Sequence, residues 1–228
     1  MVDRVELIQP GAAAFDAALE SILGRPPDRV LAPALPYSVI VRNGDRRAIA
    51  LLGIRFDLIG LKGTYSVVHY ADTLRHPEKT DFRPGTMRFV CAEPSYTDMV
   101  LRGANEVDRR GRMNLEKLLT VLQARPSLDC VGFDDGQFAG KDSLGAFERF
   151  ACEREAEIAL LDELAAPDGA VAALLEQAME IPPEKARDRA AIARRALARR
   201  LHDGFVTGGL TEVSERARNH RVRIGLWR

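Results

Sequence analysis

Four side chains crowded between residues 69 and 81 offer the chain's best prospect of chemistry: His69, Asp72, His76 and Asp81. A histidine on a strand, followed by a carboxylate in a loop, can act as a general base and its orienter, and Cys91 or Ser95 would supply the nucleophile of a hydrolase. The surrounding sequence gives that arrangement no support. It contains no GxSxG elbow, HExxH helix, P-loop or GxGxxG turn. His69 shares the apolar side of its strand and reads as a core or edge histidine, and His76, just before Pro77, reads as a turn residue. A hydrolase built on His69, Asp72, Cys91 and Ser95 is therefore the alternative reading, and no catalytic group is assigned.

Carboxylates at Asp129, Asp134, Asp135 and Asp142 raise the question of an oxygen-ligand metal loop. Their spacing misses the twelve-residue calcium pattern, which needs a bidentate glutamate at its last position. Asp135-Gly136 is explained by a hairpin, and Asp142 or Ser143 by a helix cap. Neither metal nor cofactor is expected. Cys91, Cys130 and Cys152 are too few and too scattered for a zinc site or a disulfide framework. Their odd number favours a reducing compartment, with a Cys91–Cys130 bridge left open should the protein be exported.

Partner contact is a different matter. The run Glu93-Pro94-Ser95-Tyr96-Thr97-Asp98 places an aromatic among hydroxyls and carboxylates at a strand end, where interaction loops are commonly built. Tyr96 and Asp98, with Arg102, Arg109 and Arg110 on the polar connection that follows, form the expected partner-binding set; Arg112 lies beside them. The competing expectation is that Tyr96 packs inward while Thr97 or Asp98 caps a turn.

Charge then divides the chain. Residues 1–143 are balanced, residues 144–182 carry −7 and residues 183–228 carry +7, beneath an overall charge of zero. Opposite blocks of equal size are expected to pair, within a chain or between subunits. Glu153, Glu157 and Asp162, with Glu155 and Glu163, face Arg194, Arg195 and Arg199 in this expectation. The basic stretch also holds Lys185, Arg187, Arg189 and Arg200, so a polyanion binder acting through residues 185–202 is a further alternative. Overall neutrality and the lack of aromatics to stack on bases argue against nucleic acid as a partner.

The elements needed to hold these groups follow from periodicity. Tyr37, Val39 and Val41 alternate up to Asn43-Gly44, which predicts a tight hairpin into a long strand over 48–58. Along that strand the even positions are apolar throughout, and the odd ones turn polar at Arg55 and Asp57. Gly60 to Gly63 predicts a turn into a strand over 64–74, and Met87 to Cys91 a further strand. Leu128 to Phe133 returns through Asp135-Gly136 to Phe138. Many short strands with turns between them argue for an antiparallel sandwich, similar at the level of fold alone to immunoglobulin-like or fibronectin-III-like domains over about half the chain. No Cys…Trp…Cys spacing accompanies it, since the only tryptophan is Trp227.

Helices complete the expectation. One runs over 12–23. A covering helix runs over 114–125, with Asn114 as N-cap, Leu115, Leu118, Leu119 and Leu122 as its stripe, and Pro126 as its stop. After Ser143 the period becomes helical. Leu144, Phe147, Ala151, Ile158, Leu161 and Ala165 define a helix ending near Pro167, and Asp168 caps a second. A third runs from about Glu184 to Asp203 and is ended by Gly204, and Thr211 starts a short fourth.

The expected fold is thus α+β: a segment over 1–27 with one helix, a sandwich over 28–143, and a helical region over 144–228. Its expected role is that of a non-catalytic protein-interaction or scaffolding module, binding a protein partner or self-associating. No stretch reaches the roughly 20 apolar residues of a membrane span. The N-terminus lacks the pattern of a secretory signal, which places the protein in the cytoplasm unless a leader has been removed.

Overall fold

In the computed structural model the described residues are 4–61, 63–72, 82–165, 171–180, 182 and 187–224. His76, Asp81, Pro167, Asp168, Lys185 and Trp227 lie outside them. The protein is α+β, with two antiparallel sheets followed by helices. It divides into two compact units, residues 1–143 and 144–228.

In the first unit the order is β1 (Val5–Ile8), α1 (Phe15–Leu23), a 3₁₀ segment (Ala32–Tyr37), β2 (Ser38–Asn43), β3 (Ile49–Gly60), β4 (Gly63–Asp72), β5 (Met87–Cys91), α2 (Pro94–Leu101), α3 (Arg109–Leu118), β6 (Val121–Phe133) and β7 (Phe138–Gly140). One sheet has the order β1-β2-β5 and the other β4-β3-β6-β7. Val39, Ile40 and Val41 of the first share a hydrophobic core with Leu52, Ile54, Phe56 and Leu58 of the second, closed by Phe15, Leu19 and Phe89. β3 is buried through Ile54 and becomes half-exposed at Arg55 and Asp57, following its sequence pattern.

The turn at Asn43-Gly44 differs from the predicted hairpin, because β2 and β3 belong to different sheets. Asn43 is fully buried and acts as a corner post. Its Nδ2 donates to the carbonyls of Arg47 and Phe82, both at 2.9 Å, and its Oδ1 accepts from the Asp45 amide at 3.0 Å. Beside it Arg47 donates to Asp45 at 2.8 Å and lies 3.7 Å above the Phe133 ring. The Arg47 guanidinium holds the Asp45 carboxyl down at about 2. An asparagine that satisfies three backbone groups can turn the chain between sheets as readily as within one.

The covering helix predicted over 114–125 is corrected on both sides. α3 starts earlier, where the Asp108 carboxylate caps the Gly111 amide at 2.6 Å, and stops at Leu118. Leu115 and Leu118 are buried, whereas Leu119 and Leu122 are 55% and 70% exposed, so the apolar spacing runs on past the helix. Pro126 is not a helix stop but a residue of β6 opposite Phe56. β7 pairs only with Cys130 to Gly132, so among the described strands β6 has one open side at Pro126, where a missing N–H costs nothing.

The second unit comprises α4 (Ala146–Leu164), α5 (Val171–Met179) and α6 (Arg189–Ile224). α6 packs against both α4 and α5. The buried side of α4 is displaced from the predicted stripe: Ala146, Phe150, Arg154, Glu157, Leu160 and Leu161 face inward, while Leu144 is 64% exposed. Gly204 does not end the third helix. It lies inside α6 against Arg216, and the break falls at Gly209, with φ 65° and ψ −156°. That conformation is open essentially to glycine alone. α6 is therefore two arms, 189–208 and 210–224, and Thr211 lies at the start of the second.

A Cβ at residue 209 would meet nothing within 4 Å, so a substitution there tests the backbone by itself. Gly209→Ala is expected to lower the unfolding free energy by about 1–3 kcal/mol in urea titrations. An unchanged midpoint would mean that the break is not held by this torsion.

Candidate functional site

β4 places His69 opposite Ile54 and Asp72 opposite Leu51. The two lie three residues apart on this one strand. His69 lies edge-on to Phe56, with ring centroids 6.2 Å apart, and its Nε2 is 3.2 Å from the Ala92 carbonyl. Burial lowers its pKa, partly offset by that hydrogen bond. Both candidate nucleophiles are engaged elsewhere. Cys91 is fully buried, its thiol is directed at the Ala34 carbonyl, and burial pushes its pKa up to about 12. Ser95 donates its hydroxyl to Glu93 at 2.9 Å, as part of the capping of α2. The turn between β5 and α2 thus brings Cys91 and Ser95 into the neighbourhood of His69, but hydrogen bonds to caps and carbonyls replace the base–nucleophile contact that hydrolysis needs.

The predicted partner-binding set is divided in the same way. The stretch from Pro94 is helix α2 and not a loop, and Tyr96 is only 2% exposed, so it is a core residue and no contact for a partner. The Thr97 hydroxyl accepts the Cys91 amide at 2.8 Å. Asp98 and Arg102 face each other at 3.8 Å on the exposed side of α2. Arg109 and Arg110 are exposed on the first turn of α3 and have no carboxylate partner among the described residues.

Of the four aspartates considered as a metal loop, only Asp129 and Asp142 come together. Asp129 is the extra residue of a bulge in β6, between the pairs Gly53–Cys130 and Ile54–Leu128. Its carboxylate is buried and accepts from the Tyr70 hydroxyl at 3.0 Å, the Ser143 amide at 3.0 Å and the Ser143 hydroxyl at 2.5 Å. Its carbonyl accepts from the amides of Lys141 and Asp142, the latter at φ 50°. Burial and the Asp129 carboxylate raise the Tyr70 pKa. One donor atom each from Asp129, Cys130 and Asp142 lies within 4.8 Å of the others, close enough to share an ion. Three hydrogen bonds already occupy the Asp129 oxygens, however, and these suffice to fix the corner after β7. Ser143, read in the sequence only as a possible helix cap, bonds Asp129 instead, and α4 takes Gly145 as its N-cap without a side-chain bond; Tyr70 was not singled out, the signal for it being a lone aspartate in the apolar run Leu128 to Phe133. No disulfide joins Cys91, Cys130 and Cys152, and Cys91 and Cys130 lie in different sheets.

In the helical unit the charges meet around Glu157, which is completely buried. Arg154, one turn earlier on α4, donates to its Oε2, and His220 Nε2 lies 3.0 Å from the same oxygen. Arg200 approaches Oε1 at 3.7 Å. Arg154 is itself buried and stacks 4.7 Å above Phe150. At the surface Arg194 binds Glu163 in a two-pronged pair, and Arg221 donates to Asp162. Glu153 is half-buried on α4, and Arg195 and Arg199 are exposed on α6 with no carboxylate partner among the described residues. Burial raises the Glu157 pKa, but the hydrogen bond from His220 and the charges of Arg154, His220 and Arg200 outweigh it, for a net lowering. Arg154 and His220 were not singled out in the sequence; the i, i+3 spacing of Arg154 and Glu157 was the available signal.

Two outcomes follow from this geometry. Glu157→Gln removes the buried negative charge that Arg154, Arg200 and His220 share and is expected to cost about 3–5 kcal/mol at neutral pH in urea unfolding. Because the folded pKa lies below the ordinary 4.5, the carboxylate's contribution is complete above that value and is lost as pH falls through the lower folded value; the gap between wild type and variant should close there. A gap independent of pH would refute the ionic account. For the thiols, iodoacetamide on the native protein at pH 8 is expected to label exposed Cys152 and to reach Cys91 only after unfolding. Prompt native labelling of Cys91 would restore it as a nucleophile.

Compared with protein families, with curated proteins and with solved structures, the chain matches none.

Proposed function

We propose that this chain is a non-catalytic protein-interaction module that engages an acidic segment of a partner protein through the start of α3. The observation that carries this reading is the position of Arg109 and Arg110 on the first turn of a ten-residue helix whose first turn holds no acidic residue. Helix N-termini are already positive, and each added cation there costs roughly 0.3–1 kcal/mol. The Asp108 carboxylate caps the helix at the Gly111 amide and makes no ion pair with either arginine, so a partner's carboxylate is the group that would pair with them. Asp98 and Arg102 at the exposed side of α2 extend the surface. The helices of the second unit serve as a scaffold in this reading, their acidic and basic members folding together within one chain rather than joining subunits.

Two finer readings go with it. The shared core of the two sheets supports an antiparallel sandwich of immunoglobulin-like or fibronectin-III-like type. The absence of a disulfide among Cys91, Cys130 and Cys152, with Cys152 exposed, supports a reducing, cytoplasmic setting; no helix among the described residues is long and apolar enough to cross a membrane. A second reading, polyanion binding through the basic helix, is favoured by one observation, the exposure of Arg195 and Arg199 without carboxylate partners.

Fluorescence anisotropy with a labelled glutamate-rich peptide tests the two together. Salt-sensitive binding, weakened several-fold by Arg109→Glu with Arg110→Glu and unaffected by Arg195→Glu with Arg199→Glu, is the expected result. Binding of heparin or an oligonucleotide in preference to the peptide, abolished by the Arg195 and Arg199 changes, would replace the first reading with the second.

A further inference from the structure

The second arm of α6, the end of α4 and the start of α5 surround an open-sided cavity of about 270 Å³ within the helical unit. Its walls are aliphatic. Leu161, Leu164 and Val171 lie on one side, and Val213 and Ala217 face them from the second arm. Pockets that hold small molecules span roughly 300–1,000 Å³, so this one suits a small, chain-like ligand.

Two arginines line the same cavity, and they are not equivalent. Arg221 is engaged by Asp162. Arg218, one turn after Ser214 on the same side of the arm, is exposed and has no carboxylate partner among the described residues. Leu210 stands at the rim, 58% exposed. A greasy trough beside an unneutralised guanidinium selects for a molecule with an alkyl body and a planar anionic end, which a guanidinium grips through two parallel hydrogen bonds.

We propose that this cavity binds an aliphatic monocarboxylate, with its tail among Leu161, Leu164, Val171, Val213 and Ala217 and its carboxylate on Arg218. The proposal is independent of the partner surface on α3, which belongs to the other unit.

Isothermal titration of the full chain with decanoate, decanol, decyltrimethylammonium and acetate tests it. Decanoate binds saturably. Decanol, lacking the charge, is weaker by at least about tenfold, the worth of one charge-assisted hydrogen bond. Decyltrimethylammonium and acetate, with the wrong charge and no tail respectively, do not bind. Arg218→Glu and Leu210→Glu each weaken decanoate by a similar factor; both replace exposed side chains, and an unchanged melting temperature without ligand confirms that the fold is intact. Absence of saturable decanoate binding, equal binding of decanoate and decyltrimethylammonium, or full affinity in Arg218→Glu would overturn the proposal.

Discussion

A carboxylate withdrawn completely from water governs how the helical unit is put together. Glu157 sits on α4, yet the groups that neutralise it come from three stretches of chain: Arg154 from α4, Arg200 from the first arm of α6 and His220 from the second. Desolvating such a charge costs several kcal/mol, and its return depends on geometry. A slip of either arm along α4 by one turn would remove a donor and leave the charge uncompensated. The ion cluster thus sets register more than it adds stability, and the narrow, alanine-rich side of α6, with Ala193 and Ala198 fully buried, allows the close approach that register requires.

The first unit is fixed by different means. Its core is aliphatic and aromatic, shared between two sheets, and the polar groups within it serve to turn the chain. Asn43 turns it from one sheet to the other, and Asp129 secures the segment after β7 by collecting Tyr70 and Ser143. Gly53 lets these groups close ranks, since a Cβ there would stand 2.6 Å from the Cys130 sulfur and 2.7 Å from the Tyr70 ring. Hydrogen-bonded side chains at corners and apolar contacts between them account for the strand arrangement without any ligand.

Much of this arrangement was legible in the residues, and the misses have identifiable causes. The alternation in 48–58 and 87–91 marked β3 and β5, Gly60 to Gly63 marked the turn from β3 into β4, and Asp135-Gly136 the turn from β6 into β7, because strand period and turn chemistry are local. Asn43-Gly44 signalled a turn but could not say which strand would be the neighbour, a question settled by packing. Leu115 to Leu122 imitated a helix since four leucines satisfied the 3.6 period, although two of them end in solvent. On α4 the hydrophobic count pointed to Phe147 and Ile158, while the inward face is decided by a buried ion pair that such counting assigns to the surface. Of the candidate sites, the arginines of α3 were visible as composition; that they crowd a helix N-terminus was not, because the capping aspartate lies six residues before the asparagine chosen as cap.

The short reach of β7 leaves the early part of β6 as a bare margin of its sheet among the described strands. Such margins recruit stray strands and seed aggregation unless something repels them. Here the proline that resembled a helix stop withholds a donor from the margin, and the exposed Gln123 and Arg125 on either side of Ala124 keep it hydrated. A proline at this position has no N–H to offer an incoming strand, so it would hinder intermolecular sheet growth there should the domain partly open.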